Sequence, residues 1–217
     1  MNLDYAELDP GAVLDALDSV GLRGDGRLLQ LNSYENRVFL VHLEDGEPVV
    51  AKFYRPGRWS NEQLLEEHRF ALDLAFAEVP AVPPLVLAQG LGEPPTLGEW
   101  QGLRFSASPK RGGRAPELED PEVLESLGRF LAQIHRVGRE RAFQHRPRWA
   151  GREPGDAARA FVLASGKLPD ELAPKWLSVV DRCLEAIQAA FSRLPELRLQ
   201  RLHGDCHPGN LLCVPGG

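Results

Sequence analysis

Cysteine is scarce in this chain: three residues among 217, Cys183, Cys206 and Cys213, with no C-x-x-C pair. An odd, widely spaced set fits a reducing compartment better than a disulfide framework, so a cytoplasmic location is expected. Basic charge is not in excess either. Lys and Arg number 25 against 31 Asp and Glu, a net charge of −6. A nucleic-acid or anionic-membrane partner needs a basic face, and neither partner is expected here. No apolar run approaches the roughly 20 residues of a membrane span. The N-terminus, MNLDYAELDP, carries acidic residues where a secretory signal would carry basic ones and an apolar core. What is present, 43% hydrophobic and 26% charged residues, is ordinary globular composition, enough for one large domain or two small ones.

The order of elements is legible from caps and periodicity. Asp9 and Pro10 open a helix whose stripe is Val13, Leu14, Leu17 and Val20, and Gly21 stops it. Strands are predicted at 28–31, 37–43 and 48–54, the last two joined as a hairpin by the turn EDGE. Residues 60–63 form an S-x-x-Q capping box, with Trp59 and Leu64 as its hydrophobic staple, for a helix running to about residue 77. EVPAVPP breaks that helix, and short strands are predicted near 84–88 and 103–108. This pattern predicts an α+β lobe on an antiparallel sheet. Beyond PKRGGRAP the character turns helical, which places a domain boundary near 109–118. A helix from Pro121 to Gly138 carries Val123, Leu124, Leu127, Phe130, Leu131 and Ile134 on one side. The polar segment FQHRPRWAGREPGDAAR separates it from a second long helix at about 174–194. Two short strands, 197–202 and 211–214, are predicted to flank the loop HGDCHPGN.

That loop carries the chemistry. Asp205 and Asn210 are five residues apart, which is not helical spacing. Pro208-Gly209 predicts a turn, with proline presetting one residue and glycine taking a positive φ, that folds Asn210 back toward Asp205. A carboxylate and an amide oxygen converging on one volume suit phosphoryl transfer. The acid takes the proton of an attacking hydroxyl and the amide holds Mg²⁺ on the phosphates. The spacing also matches the D-x-x-x-x-N of kinase catalytic loops. Two other readings stand beside it: a polar turn capping local backbone donors, and a zinc-type site of His203, Asp205, Cys206, His207 and Cys213, whose spacing lacks the usual tight ligand pairs.

LHGDxHxxNxL is the pattern of aminoglycoside-phosphotransferase and choline-kinase-like enzymes. Together SYENRV, VVAKFYRPGRW, LLEEHRFAL, EVPAVPP, LGRFLAQIHRVGR, HRP and RLHGDCHPGNLL resemble the stress response kinase A family over residues 8–214. The resemblance implies a cytoplasmic, ATP- and Mg²⁺-dependent serine/threonine protein kinase with a bilobal protein-kinase-like fold. Its antiparallel-sheet N-lobe would span 1–110, and a largely helical, truncated C-lobe 111–217. It makes Asp205 the proton acceptor, Asn210 a magnesium ligand and Lys52 the strand lysine on the ATP phosphates. Ser33, in the turn NSYENR, takes the ATP-facing position of the phosphate loop. It implies a protein substrate bearing a Ser or Thr hydroxyl, and a monomer is expected; a nucleotide-binding pseudokinase module and a small-molecule phosphotransferase of the aminoglycoside or choline type stand as alternatives.

Elementary chemistry bears on some of these roles. Lys52 shares a strand face with Val50 and Tyr54, and an ammonium is a compact charge suited to phosphate oxygens. NSYENR lacks the glycines of a G-x-G-x-x-G loop, so an ordinary Ser or Asx turn explains Ser33 equally well. Of the two glutamates in LLEEHRFAL, Glu67 shares a helix face with Leu64, Ala71 and Leu74, whereas Glu66 lies among polar residues. Glu67 is therefore the expected partner of Lys52. Family members continue with a strand ending in an aspartate equivalent to that of D-F-G, a second magnesium ligand. It would follow CVPGG, and without it weak or no transfer is expected.

Overall fold

In a computed structural model the chain is described at Tyr5, 8–194 and 196–214. Among these residues are five helices and five strands. They are α1 (Pro10–Asp18), β1 (Gly24–Leu31), β2 (Arg37–Leu43), β3 (Val49–Phe53), α2 (Asn61–Phe76), β4 (Gly98–Trp100), β5 (Leu103–Pro109), α3 (Pro121–Gly138), α4 (Glu153–Ala164) and α5 (Ala173–Ser192). The class is α+β, as expected, with an antiparallel sheet in the order β1-β2-β3-β5-β4. Among the described residues no helix is long and apolar enough to cross a membrane.

Contacts group the chain into two units. One contains Met1–His145 and Gln200–Gly217, the other Arg146–Leu199.

In the first unit the sheet has two distinct faces. Val49, Ala51 and Phe53 of β3 are buried in one core with Ala12, Val13, Ala16 and Leu17 of α1. The alternate residues Val50 and Lys52 therefore face the other way. On that face Tyr54, Leu64 and Leu97 form a second cluster with Trp59, so α2 covers it. A one-residue slip of β3 would exchange the two sets, so burial of Phe53 fixes where Lys52 points. The N-terminal end of α2 is set by sequence. Ser60 Oγ accepts from Gln63 N, and the Gln63 side chain accepts from Ser60 N at 3.0 Å. Phe70, Leu74 and Val79 then pack on Ile134 and Val137 of α3.

Four expectations about secondary structure fail. No strand forms at 84–88. Leu85 N donates to Ala107 O at 2.7 Å and Leu87 N to Pro95 O at 2.8 Å, but Pro83 and Pro84 have no N–H with which to extend a ladder. The fourth strand is instead β4. The predicted strands at 197–202 and 211–214 are also absent, and only Cys213 pairs with Arg114 as a lone antiparallel bridge. Finally, the polar segment after α3 contains α4. This helix has no side-chain cap and buries none of its residues, yet Arg152 holds Asp156 through two 2.9 Å hydrogen bonds, and Arg159 reaches Asp181 of α5 at 2.7 Å.

Candidate active site

Lys52 lies opposite Val38 of β2 and Ser106 of β5. Its Nζ is 3.2 Å from Glu67 Oε1, and the two side chains are 35% and 38% exposed. The Tyr54 ring lies beneath the ammonium, 4.9 Å from Nζ to the centroid, a cation–π distance. Tyr54 is itself fixed from below. Its hydroxyl is 2.7 Å from His68 Nε2 and 3.0 Å from Ser106 Oγ, and His68 Nδ1 is 2.9 Å from Thr96 Oγ1. All four side chains are buried. Burial pushes the His68 imidazole down to about 4, with Lys52 acting in the same direction and Glu67 against it. A neutral ring can donate through one nitrogen and accept through the other, which matches two hydroxyl neighbours.

Glu66 does something different. Its carboxylate accepts the backbone N–H groups of Gln144 and His145, and Gln63 Nε2 donates to His145 O at 2.9 Å. The polar side of α2 is thus a binding edge for the segment after α3.

Asp205 and Asn210 meet. Asn210 Nδ2 donates to Asp205 Oδ2 at 2.9 Å and to the Asp205 carbonyl at 2.8 Å. The fold-back is a single 3-10 turn, Pro208–Asn210, in which His207 Nδ1 accepts from Gly209 N at 3.1 Å. The expected positive φ at Gly209 does not occur. It falls at Gly204 instead, at 81°, before the turn, because a 3-10 turn keeps its own residues at negative φ. His207 Nε2 is 3.8 Å from Asp205 Oδ2. Among the described residues no three His, Cys, Asp or Glu side chains gather as metal ligands, so the zinc-type set does not assemble.

The donor chemistry nevertheless fits Mg²⁺. The ion takes hard oxygens, one or two from protein, and keeps waters and phosphates for the rest. Asn210 turns its amide nitrogen to Asp205, and its amide oxygen is the hard donor it would offer a cation beside that carboxylate.

Ser33 is exposed in the 32–36 loop between β1 and β2, where its hydroxyl donates to Asn36 O. The loop lines a cavity of about 490 Å³ with Gln30 and Arg37. The structure thus forms two pairs, Lys52 with Glu67 and Asp205 with Asn210, and sets Ser33 beside a cavity.

Sequence reasoning missed two residues that organise this region. Arg201 is 2% exposed, and its Nη1 donates to Asp73 Oδ2 at 2.7 Å. Nothing in RLQRLHGD marks the second arginine as buried. His68 did carry a signal, since it lies four residues after the buried Leu64, on the same helix face.

The chain is 38% identical over 212 residues to stress response kinase A of Escherichia coli (strain K12), an alignment covering 98% of this chain and 62% of that protein. It is 37% identical over the same span, with the same coverage, to the serine/threonine protein kinase RdoA of Salmonella typhimurium. The chain therefore spans about 62% of the length of these curated relatives. In fold it is similar to an amicoumacin kinase in complex with AMP-PNP, Ca²⁺ and Ami, with a TM-score of 0.67 at 17% identity over 97% of this chain and 62% of that one. A spectinomycin phosphotransferase in complex with ADP and spectinomycin gives 0.57 at 13%, over 95% and 65%. Residues 27–217 match the model of the phosphotransferase enzyme family, to which this chain belongs.

Proposed function

We propose that the chain is the nucleotide-binding and catalytic-loop portion of an ATP- and Mg²⁺-dependent serine/threonine protein kinase of the stress response type. Residues 1–110 form its nucleotide lobe and 111–217 open its helical lobe, in a monomer working in the cytoplasm. The observation that carries this reading is the closure of Asp205 on Asn210 across five residues, 2.9 Å from Nδ2 to Oδ2. The kinase names of relatives at 37–38% identity support the acceptor class.

In this reading Asp205 accepts the proton of the acceptor hydroxyl as its oxygen attacks the γ-phosphorus, and ADP leaves. Asn210 would hold Mg²⁺, which when bound would neutralise charge on the phosphates. Lys52, held by Glu67 above the Tyr54 ring, donates to phosphate oxygens. Ser33 and the backbone of its loop lie over the same phosphates. Nucleotide binding, which precedes any transfer, is the first measurement.

ATP is titrated calorimetrically with and without Mg²⁺ into the wild-type chain, Asp205→Asn and Asn210→Ala. The expected result is at least tenfold tighter binding with Mg²⁺, a gain that Asn210→Ala removes. No gain in the wild-type chain rejects the proposal. A small-molecule acceptor is the second reading, supported by the fold likeness to the amicoumacin kinase and the spectinomycin phosphotransferase. Labelled-phosphate transfer to a casein-type protein against an aminoglycoside separates the two.

A further inference from the structure

Arg201, four residues before Asp205, joins three parts of the first unit at one buried point. Its Nη1 donates to Asp73 Oδ2 on α2 at 2.7 Å, and its Nη2 to the Val137 carbonyl near the end of α3 at 2.9 Å. Its guanidinium carbon lies 4.4 Å from the Phe70 ring centroid and 5.9 Å from that of Phe143. Its backbone N donates to Gly138 O at 3.2 Å. The approach is so close that a Cβ on Gly138 would collide with the Arg201 carbonyl oxygen. Asp73 also lies 3.5 Å from Arg141, and the buried Arg201 Nε–H has no hydrogen-bond partner among the described residues.

Stability alone is a poor reason for this arrangement, because a well-packed apolar side chain often replaces a buried ion pair without loss. Position is a better one. The helix that holds Asp73 also presents Glu67 to Lys52, six residues earlier. The chain beyond Arg201 needs only four residues, at most ~14 Å, to reach Asp205.

We infer that Arg201 is a positioning residue for phosphoryl transfer: it fixes the Asp205–Asn210 loop to α2, so that the Lys52–Glu67 pair and the metal-binding loop address one nucleotide. This inference rests on the function proposed above. Arginine's planar fork is needed because two acceptors on different helices are held at once, which an ammonium does not do with the same directionality.

The test is the ratio of ATP affinity with Mg²⁺ to ATP affinity in EDTA. A residue that only holds the fold together changes the folded fraction and leaves that ratio alone. Arg201→Met is expected to fold, to bind metal-free ATP within twofold of wild type, and to lose at least tenfold of the Mg²⁺-dependent gain. Arg201→Lys is expected to restore little of it. Gly138→Ala provides a second approach, since it displaces the Arg201 backbone with the guanidinium left intact, and the same loss is expected. Hydrogen exchange on the unaltered chain supplies a third measurement: the amides of 203–210 are expected to open together with those of 70–74.

A folded Arg201→Met that keeps the full Mg²⁺ gain overturns the inference and leaves the proposed function standing. So does a loop that opens while 70–74 stays protected. A wild-type chain without any Mg²⁺ gain overturns both.

Discussion

Tyr54 and His68 meet at 2.7 Å between β3 and α2, and the same tyrosine ring lies under the ammonium of Lys52. A buried polar chain from Thr96 through His68 and Tyr54 to Ser106 therefore ends directly beneath the candidate phosphate-binding lysine. Low dielectric makes such a chain strong when satisfied and costly when a charge enters it.

That cost has a defined pH window. His68 has its imidazole pushed from 6.5 down to about 4 by burial, so the folded protein resists a proton that the unfolded chain accepts. Stability is unaffected by this group above about pH 6.5. It falls as pH drops from 6.5 towards 4, by roughly 3 kcal/mol once both limits are passed. His68→Phe removes the proton site while leaving two hydroxyls short of a partner. The variant is expected to be less stable than wild type at pH 7, and the difference should shrink as pH falls to 4.5. Urea midpoints at four pH values check this, and a difference constant across the window would refute it.

The Lys52–Glu67 pair calls for a different expectation. Both side chains are about one-third exposed, at 35% and 38%, so the pair contributes only ~0–1 kcal/mol to stability. Its effect should appear in ligand binding. Lys52→Met is expected to weaken ATP by about 10- to 100-fold, the loss of a charged hydrogen bond to phosphate, and to leave adenosine affinity unchanged. Equal losses for ATP and adenosine would mean that Lys52 shapes the site rather than touching phosphate.

Local rules account for what the sequence disclosed. Asp9 accepts from Ala12 N at 2.8 Å, the Ser60–Gln63 box is closed, and Asp120 caps α3 through Glu122 N at 2.9 Å. Each is set by neighbours within a few residues, so each could be read directly. Glu67 facing Lys52 followed from helical periodicity against a strand. Arg201 could not be read in this way, because its partner Asp73 is 128 residues distant and its burial depends on where α2 and α3 cross. Apolar stripes also overstated packing. Ile134 is buried in α3, whereas Leu124 on the same predicted stripe is 50% exposed.

The capping box offers a stability test of α2 as the carrier of Glu67. Ser60→Ala removes the acceptor of Gln63 N and is expected to cost about 1 kcal/mol. The loss should appear as a lower urea midpoint with an unchanged slope. An unchanged midpoint would show that packing of Leu64 and Trp59 holds this end without the hydroxyl.

Gly98 is the position where a single methyl group should be most damaging to the sheet. It pairs with Phe105 across β4 and β5, and a Cβ there would come within 2.7 Å of the Phe105 ring carbons. That ring is fully buried and stacks on Phe53 at 5.1 Å, so it has no open side to move into. Gly98 is not among the positive-φ glycines, which leaves steric overlap rather than backbone strain as the cause. Gly98→Ala is accordingly expected to cost about 1–3 kcal/mol. Phe105→Leu shortens the obstructing side chain, so the double variant should be more stable than the sum of the single losses predicts. Denaturation midpoints of the four proteins complete the cycle, and strict additivity would show that the alanine is accommodated by movement of β4 instead. The outcome bears on the candidate site, because Ser106, the next residue of β5, lies opposite Lys52 and holds the Tyr54 hydroxyl beneath it.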